Sequence, residues 1–515
     1  MAMKKKRTIV EKLQSSILNE LWEQVNKDEL VASINQNIET MKIIWNHCDD
    51  YKMTPLTGAI AENQFGMVAC WMDGLVDEKR LQEIILRTNV NQLMLSGTNT
   101  GLVNAQTGMY QSITTYQEAS RAISAGQIVC FMEGNKKGFA ISVSNFPAKS
   151  LETPQNEPTI EEPQVSFVNV LSQNIATIRN FVRSPHLKVE ISTLGSMLEN
   201  SVALLYLDAV IEKEVVDEVK KRLSTYQLEG VLGFNYVKEI LEDHPYSPYP
   251  TIDETERPDR VAVGLLQGKF AILVNGSTIV LLAPATFITF INPIEDYYTG
   301  YEAVVFFRVM RHLMYWISML LPSIYISLLS YNQDLLPTPL LLNLQLQHQN
   351  LPFSVILEIF IMQIAFEAMR EAGTRLPKTV GQSVSIVGTL VIGDAATQAG
   401  LVTPAAVIVV AFTGIASFTI TSYALAYTNR VLQFVFMVSA FLYGLYGVII
   451  IGLVLVAHLV SLKSFGVPYM SPVAPFHAKV FPYAFYRPSW SRESRHQKDI
   501  SGFPRPDLEK LKKTK

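Results

Sequence analysis

Ionisable side chains inside the most apolar third of a chain constrain its fold more than any local propensity does. From Phe306 to about Leu462 this sequence is mostly hydrophobic, yet Glu358, Gln363, Glu367, Arg370, Glu371, Arg375 and Asp394 all fall within that stretch. A charge at the centre of a bilayer costs on the order of 3 kcal/mol and is kept where it serves a path, a gate or a pairing. The pattern opens at Pro352-Phe353-Ser354. It continues through Phe366-Glu367-Ala368-Met369-Arg370-Glu371-Ala372-Gly373-Thr374-Arg375-Leu376-Pro377 and ends in Val387-Gly388-Thr389-Leu390-Val391-Ile392-Gly393-Asp394.

The rest of the 515 residues is different in kind. A charged fraction of 17% with a mean hydropathy of +0.19 is too apolar for an all-soluble protein. Up to about Asp296, however, the chain reads as an ordinary charged globular protein, and past Leu462 it turns basic. The reading is a soluble α/β N-terminal region of two related subdomains followed by an α-helical polytopic membrane domain. Boundaries fall at 1–40 (amphipathic segment), 41–144 (first subdomain), 145–165 (linker), 166–300 (second subdomain), 306–462 (membrane domain) and 463–515 (basic tail). Lys4-Lys5-Lys6-Arg7 leads into a polar amphipathic stretch without an apolar core or cleavage site, so no secretory signal is expected and the front region belongs in the cytoplasm. Cys48, Cys70 and Cys130 lack paired spacing and neighbouring histidines, which argues for buried thiols and against disulfides or zinc. The net charge of −3, with no basic stripe interleaved with aromatics, gives no sign of a nucleic-acid partner.

An internal repeat is visible in the soluble region. Met67-Val68-Ala69-Cys70-Trp71-Met72-Asp73 lines up with Val202-Ala203-Leu204-Leu205-Tyr206-Leu207-Asp208, each a buried strand expected to enter a helix capped by its aspartate. Gly126 to Gly134 matches Gly268 to Gly276 with the same glycine spacing, and Gly134-Asn135 and Asn275-Gly276 signal hairpin turns. Between the copies, Asn145 to Gln164 carries prolines and glutamates without hydrophobic period and reads as a linker. The cluster Thr255-Glu256-Arg257-Pro258-Asp259-Arg260 admits a solvated turn or an ion-pair network at a subunit contact. No phosphate loop, nucleophile elbow or zinc-protease motif occurs, so neither an enzyme nor a cofactor is expected.

Five apolar segments are candidates to cross a membrane: 313–331, 353–369, 384–402, 404–427 and 431–460. Arg308 and Arg311 before the first, and the lysine- and arginine-rich tail after the last, place both flanks on the cytoplasmic side. Parity then requires an even number of crossings. The Glu-bearing 353–369 is the weakest by hydropathy, which leaves four spans and one re-entrant or interfacial helix. On a helical projection Gln363 and Glu367 share a face and Glu358 points away. Glu367 either pairs with Arg370 or faces a pore or subunit contact. Arg370, Arg375 and Lys378 then read as a cytoplasmic loop. Asp394, among small residues and near Pro404, suits either ion passage or a hydrogen bond at a helix break.

These patterns closely resemble the A subunit of bacterial spore germination receptors, the GerA family. The likeness covers Trp71 to Asp77, Asn174 to Arg179, Thr255 to Arg260, Glu295-Asp296-Tyr297-Tyr298, Leu321 to Tyr325, Pro352 to Gly400 and Ser464 to Tyr469. Two departures, at Glu161 to Val165 and at Gly195 to Glu199, touch subunit contacts more than the fold. The resemblance implies a subunit of the spore inner membrane that forms a homo-oligomer beside a transporter-like B subunit and a lipoprotein C subunit. It implies ion conduction or gating, with Glu358, Gln363, Glu367 and Asp394 as path candidates. Glu256, Arg257, Asp259, Arg260, Arg370, Glu371 and Arg375 are the subunit-contact candidates. The alternatives are a secondary transporter, although no inverted repeat is seen, or a scaffold subunit without its own pore. Limited proteolysis of the soluble region should cut first between Asn145 and Gln164; resistance there with cleavage inside Gly126 to Gly134 would overturn the two-subdomain boundary.

Overall fold

This computed structural model describes residues 25–56, 66–77, 79–82, 110–143, 154, 157, 164–226, 229–349, 351–375, 393–476 and 481–485. The segment before residue 25, nearly all of the linker, 384–392 of the expected 384–402 segment and the tail after 485 lie outside the described residues.

Two five-stranded antiparallel sheets form the front of the molecule. The first comprises β1 (Tyr51–Leu56), β2 (Met67–Met72), β3 (Tyr110–Ile113), β4 (Gln127–Met132) and β5 (Gly138–Ser142), in the order β1-β2-β4-β5-β3. Helix α1 (Ile34–Ile44) precedes it and α2 (Tyr116–Ser124) joins β3 to β4. The second comprises β6 (Leu187–Leu194), β7 (Asn200–Leu207), β8 (Asp253–Thr255), β9 (Phe270–Val274) and β10 (Val280–Ala283), in the order β6-β7-β9-β10-β8, which is the same topology. Here α3 (Leu171–Phe181) stands for α1. Helices α4 (Lys213–Thr225) and α5 (Phe234–Leu241) are added between β7 and β8, and α6 (Pro258–Leu266) stands for α2. The additions explain why β7 and β9 read as unbroken apolar runs. One face of the second sheet packs on α3 and α6 through Val189, Leu205 and Leu273, and the other on α4 and α5 through Leu204, Ile272 and Val219.

The duplication extends to individual hydrogen bonds. Asn37 in α1 clasps the backbone of Val31, accepting its N–H at 3.0 Å and donating to its carbonyl at 2.7 Å. Asn174 in α3 does the same to Val168 at 2.9 and 2.6 Å. The β4–β5 turn caps α1, with Glu133 accepting from the Ile34 N–H, and the β9–β10 turn caps α3, with Asn275 accepting from the Leu171 N–H. Gly134 and Gly276, at φ of 79° and 81°, donate to Ala32 and Asn169. Such φ values favour glycine.

The expected helix caps are corrected. Among the described residues Asp73 accepts only from the adjacent Gly74 N–H, and it is Asp77 that receives the Lys79 and Arg80 N–H groups at 3.0 and 3.4 Å. After Asp208 the chain makes a turn, and α4 starts at Lys213 behind Glu212, which makes no side-chain cap. A short turn separates strand from helix in both copies, so the residue at the strand end is too early to cap.

The back of the molecule is a helical bundle: α7 (Phe287–Ile291), α8 (Tyr301–Ser330), α9 (Thr338–His348), α10 (Val355–Arg375), α11 (Pro404–Ser417) and α12 (Tyr423–Ser461). By length and composition, α8 and α12 are apolar enough to cross a membrane, and only 28% of the apolar window of α12 is buried. The expected 404–427 segment is two pieces: α11 ends at Ser417, and Ser422 caps α12 by accepting from the Leu425 N–H. The expected 431–460 segment is also two pieces. Gly444, at φ 59° and ψ −142°, interrupts α12. Thr428 donates to the Pro248 carbonyl while His458 meets the Ser247 hydroxyl at 2.9 Å. Residues thirty apart thus touch adjacent residues of one loop, although a straight helix would separate them by about 45 Å. The chain therefore doubles back at Gly444, and the legs 423–443 and 445–461 are about 31 and 26 Å long.

That reversal orients the bundle. The near end of α8 adjoins the second subdomain, and its far end meets the hairpin tip, where the Tyr331 hydroxyl donates to the Phe441 carbonyl. Helix α10 runs back along α11, from Glu358 beside Thr403 at the far end to Arg370 beside Ser417 at the near end. It thus lies along the bundle and not across it, because its charged residues find partners inside.

A Cβ at position 444 would sit 2.9 Å from both Cβ and Cγ of Tyr331. Gly444→Ala should therefore cost at least about 1–3 kcal/mol of backbone strain and lower the thermal midpoint of the purified chain; an unchanged midpoint would refute the tight reversal.

Candidate functional site

Three sets of buried charges connect the parts of the molecule. Between the subdomains, Arg179 of α3 forks onto Asp50 with Nε–Oδ2 at 2.7 Å and Nη2–Oδ1 at 2.8 Å, and its third nitrogen donates to the Leu187 carbonyl. Backbone bonds from Asp49 to Val189 and from Val189 to His47 cover the β6 edge beside it. The bidentate geometry fits a guanidinium, whose planar fork matches a carboxylate.

The second set is the cluster expected as a solvated turn or a subunit contact. Glu256, Arg257, Asp259 and Arg260 are all buried within this one chain, Arg257 completely. Arg257 holds Asp259 through Nε and Nη2 at 3.1 and 2.7 Å, and the Tyr298 hydroxyl donates to the same carboxylate at 2.7 Å. Arg260 reaches Glu157 at 2.5 Å, Asp253 at 3.0 Å and the Thr289 carbonyl at 3.2 Å. The cluster is thus an internal clamp that also fastens Glu157 of the linker. Burial pushes the Asp253 carboxyl up to about 6 despite Arg260, and pushes the buried Lys269 ammonium down to about 8. The first copy closes the equivalent corner differently. There Thr115, the N-cap of α2, accepts from the Glu118 N–H, and Glu118 accepts from the N–H of Thr114, one residue before the cap.

The third set ties this subdomain to the bundle. Asp296, 2% exposed, accepts from Arg308 at 2.6 Å and from Arg311 at 2.7 Å, both on the near end of α8. In sequence the two arginines read only as positive flanks, because nothing local marks Asp296 as their partner.

Inside the bundle the path candidates separate. Glu358, fully buried, accepts from the Thr403 N–H at the start of α11 and faces His348. Gln363 donates to Glu367 at 3.5 Å, in keeping with their shared face. Glu367 pairs with Arg370 at 3.0 Å and lies 4.0 Å from Arg430 of α12. Arg370 also donates to Ser417 and stacks over Phe366 and Phe418. Glu371 and Arg375 form an exposed pair at 2.7 Å, of the kind worth under about 1 kcal/mol. Asp394 is exposed in the helical turn 393–398, apart from the others. Sequence reasoning missed His348, Arg430, Asn429 and Gln433, which no local motif flags. Among the described residues, Gln363 Oε1, Arg370 Nε, Asn429 Oδ1, Arg430 Nε and Gln433 Nε2 are buried without a hydrogen-bond partner. So many unsatisfied polar atoms on α10 and α12 are unusual for a packed interior. No group of three or more potential metal ligands occurs among the described residues.

A duplicated α/β unit set on an apolar helical bundle with internal charges defines a two-part protein whose chemistry is electrostatic. The chain belongs to the Bacillus/Clostridium GerA spore germination protein family, whose model matches residues 39–498. It is 35% identical to spore germination protein KA of Bacillus subtilis (strain 168), over 84% of this chain and 81% of that one. It is 37% identical to spore germination protein A1 of the same organism, over 71% and 76%. A likeness with TM-score 0.39 and 23% identity links it to the crystal structure of the N-terminal domain of the A subunit of the Bacillus megaterium spore germinant receptor GerK3, over 51% of this chain and 98% of that one.

Asp296→Asn removes the charge that neutralises two largely buried guanidiniums. Losing one partner of a buried pair costs about 3–5 kcal/mol, so the variant should separate the thermal transitions of subdomain and bundle or lower both; a single unchanged transition would show that the joint rests on packing alone.

Proposed function

We propose that this chain is the A subunit of a nutrient-germinant receptor of the spore inner membrane. Its α/β region and basic tail lie on the core side. It assembles with copies of itself, with a transporter-like B subunit and with a lipoprotein C subunit, and it conducts or gates the ion release that starts germination.

The observation that carries this reading is the set of buried, incompletely bonded polar groups on α10 and α12 inside a bundle whose outer surface is apolar. Val431, Val435, Val438, Ile449, Leu453 and Val456 are among the exposed aliphatic residues of α12. An aqueous surface does not suit them. The two hairpin legs approximate the ~30 Å thickness of a hydrocarbon core. In this reading α8, α10 and both legs cross the membrane, which keeps four crossings but changes the segments that make them: α10 becomes a crossing helix and α12 supplies two. Water or ions then satisfy the groups that the chain leaves unbonded. Glu371, Arg375 and Asp394, exposed on a single copy, are available to neighbouring subunits.

Glu367→Gln and Asp394→Asn keep shape while deleting charge. With normal protein abundance, cation release on nutrient exposure should slow or become nutrient-independent. Normal release at normal abundance in both variants would remove these residues from the path, and a fall in abundance for Glu367→Gln would mark that residue as a counter-charge for Arg370 and nothing more.

A further inference from the structure

His348 ends α9, and Glu358 lies in the first turn of α10, ten residues later. The imidazole Nδ1 is 2.7 Å from the Leu344 carbonyl oxygen, and Nε2 is 3.0 Å from Glu358 Oε2. A carbonyl oxygen can only accept, so Nδ1 carries a hydrogen. A neutral imidazole has one N–H, which would leave Nε2 as a bare lone pair. An ionised carboxylate is likewise acceptor-only, and two acceptors do not rest 3.0 Å apart in a buried site. The arrangement therefore holds one proton more than a neutral histidine and an ionised glutamate contain. That proton sits on Nε2, as an imidazolium facing a carboxylate, or on Oε2, as an acid donating to the ring.

We infer that His348 and Glu358 form a single-proton binding site that fastens α9 to α10, and that loss of the proton releases α9. The surroundings fit. Glu358 has no exposed surface and the His348 side chain retains 16%, so the proton exchanges with solvent through the histidine. The other carboxylate oxygen accepts from the Thr403 N–H, and Thr403 Oγ1 in turn caps α11 by accepting from the Ala406 N–H. That fixes Glu358 in place whichever way the proton moves. From α8 the buried Tyr325 hydroxyl lies within electrostatic reach of Glu358. From α12 the charged group facing α10 is Arg430, which meets Glu367 instead. Helix α9 has no other titratable side chain, and the remaining charges of α10 begin at Glu367, more than two turns on. The fastened state binds one more proton than the released state, so it is favoured at low pH and lost as pH rises. This holds whether or not the bundle conducts ions.

The test uses the full chain in lipid nanodiscs with spin labels at Leu342→Cys on α9 and Ile361→Cys on α10, both exposed positions; the native Cys48, Cys70 and Cys130 are buried. Pulsed dipolar distances should show one short population near about pH 5 that converts to a longer, broader one by about pH 9, with the steepness of one proton. Glu358→Gln should abolish the transition and keep the short distance throughout, because its amide can donate to Nε2 of a neutral ring. A pH-independent distance in the otherwise unaltered chain overturns the proposal. So does a Glu358→Gln variant that titrates as the parent does.

Discussion

A charge withdrawn from water must meet an opposite charge or a set of hydrogen bonds, and each joint of this protein is placed where that requirement is satisfied. Asp50 and Arg179 close the seam between the subdomains, and Asp296 with Arg308 and Arg311 closes the seam between subdomain and bundle. Arg370, donating to Ser417 of α11, and Glu367, beside Arg430 of α12, hold the near end of α10. Such pairs add little net stability over well-packed apolar residues. What they supply is register: a hydrophobic seam tolerates sliding, whereas a guanidinium fork over a carboxylate does not.

The duplication was legible because strands and glycine turns carry their own signals. Apolar runs of strand length, Gly126 matching Gly268 and Gly134 matching Gly276 led to two units, and the sheets share one strand order. Which aspartate caps was not legible, since a short turn between strand and helix moves the cap from Asp73 to Asp77. The reversal inside 423–461 was hidden for a similar reason. The residues around position 444 are almost all apolar, and only the approach of Tyr331, some 110 residues earlier, distinguishes Gly444 from a glycine in a straight helix. Of the candidate site, the carboxylates stood out against their apolar background, but their partners His348, Thr403 and Arg430 come from other helices and leave no trace at local spacing.

The two copies also show what duplication allows. Their clasp by Asn37 or Asn174 and their turn caps are alike, so the backbone frame has been kept. At the start of α2 the corner is closed by a threonine and a glutamate. At the start of α6 the same corner carries Arg257, Asp259 and Arg260, which reach outward to Tyr298, Glu157 and the residues before α8. One copy serves as a plain support and the other has become the junction with the bundle.

The loop at Ser247 to Tyr249 touches both feet of the hairpin through His458 and Thr428, and it touches α8 through the hydroxyl pair of Tyr249 and Tyr315 at 2.9 Å. Both legs of the hairpin are thus gripped near their feet, and α8 at its midpoint, by three consecutive residues. A rotation of the second subdomain would act on all three from one pivot, with the hairpin tip the point farthest from it.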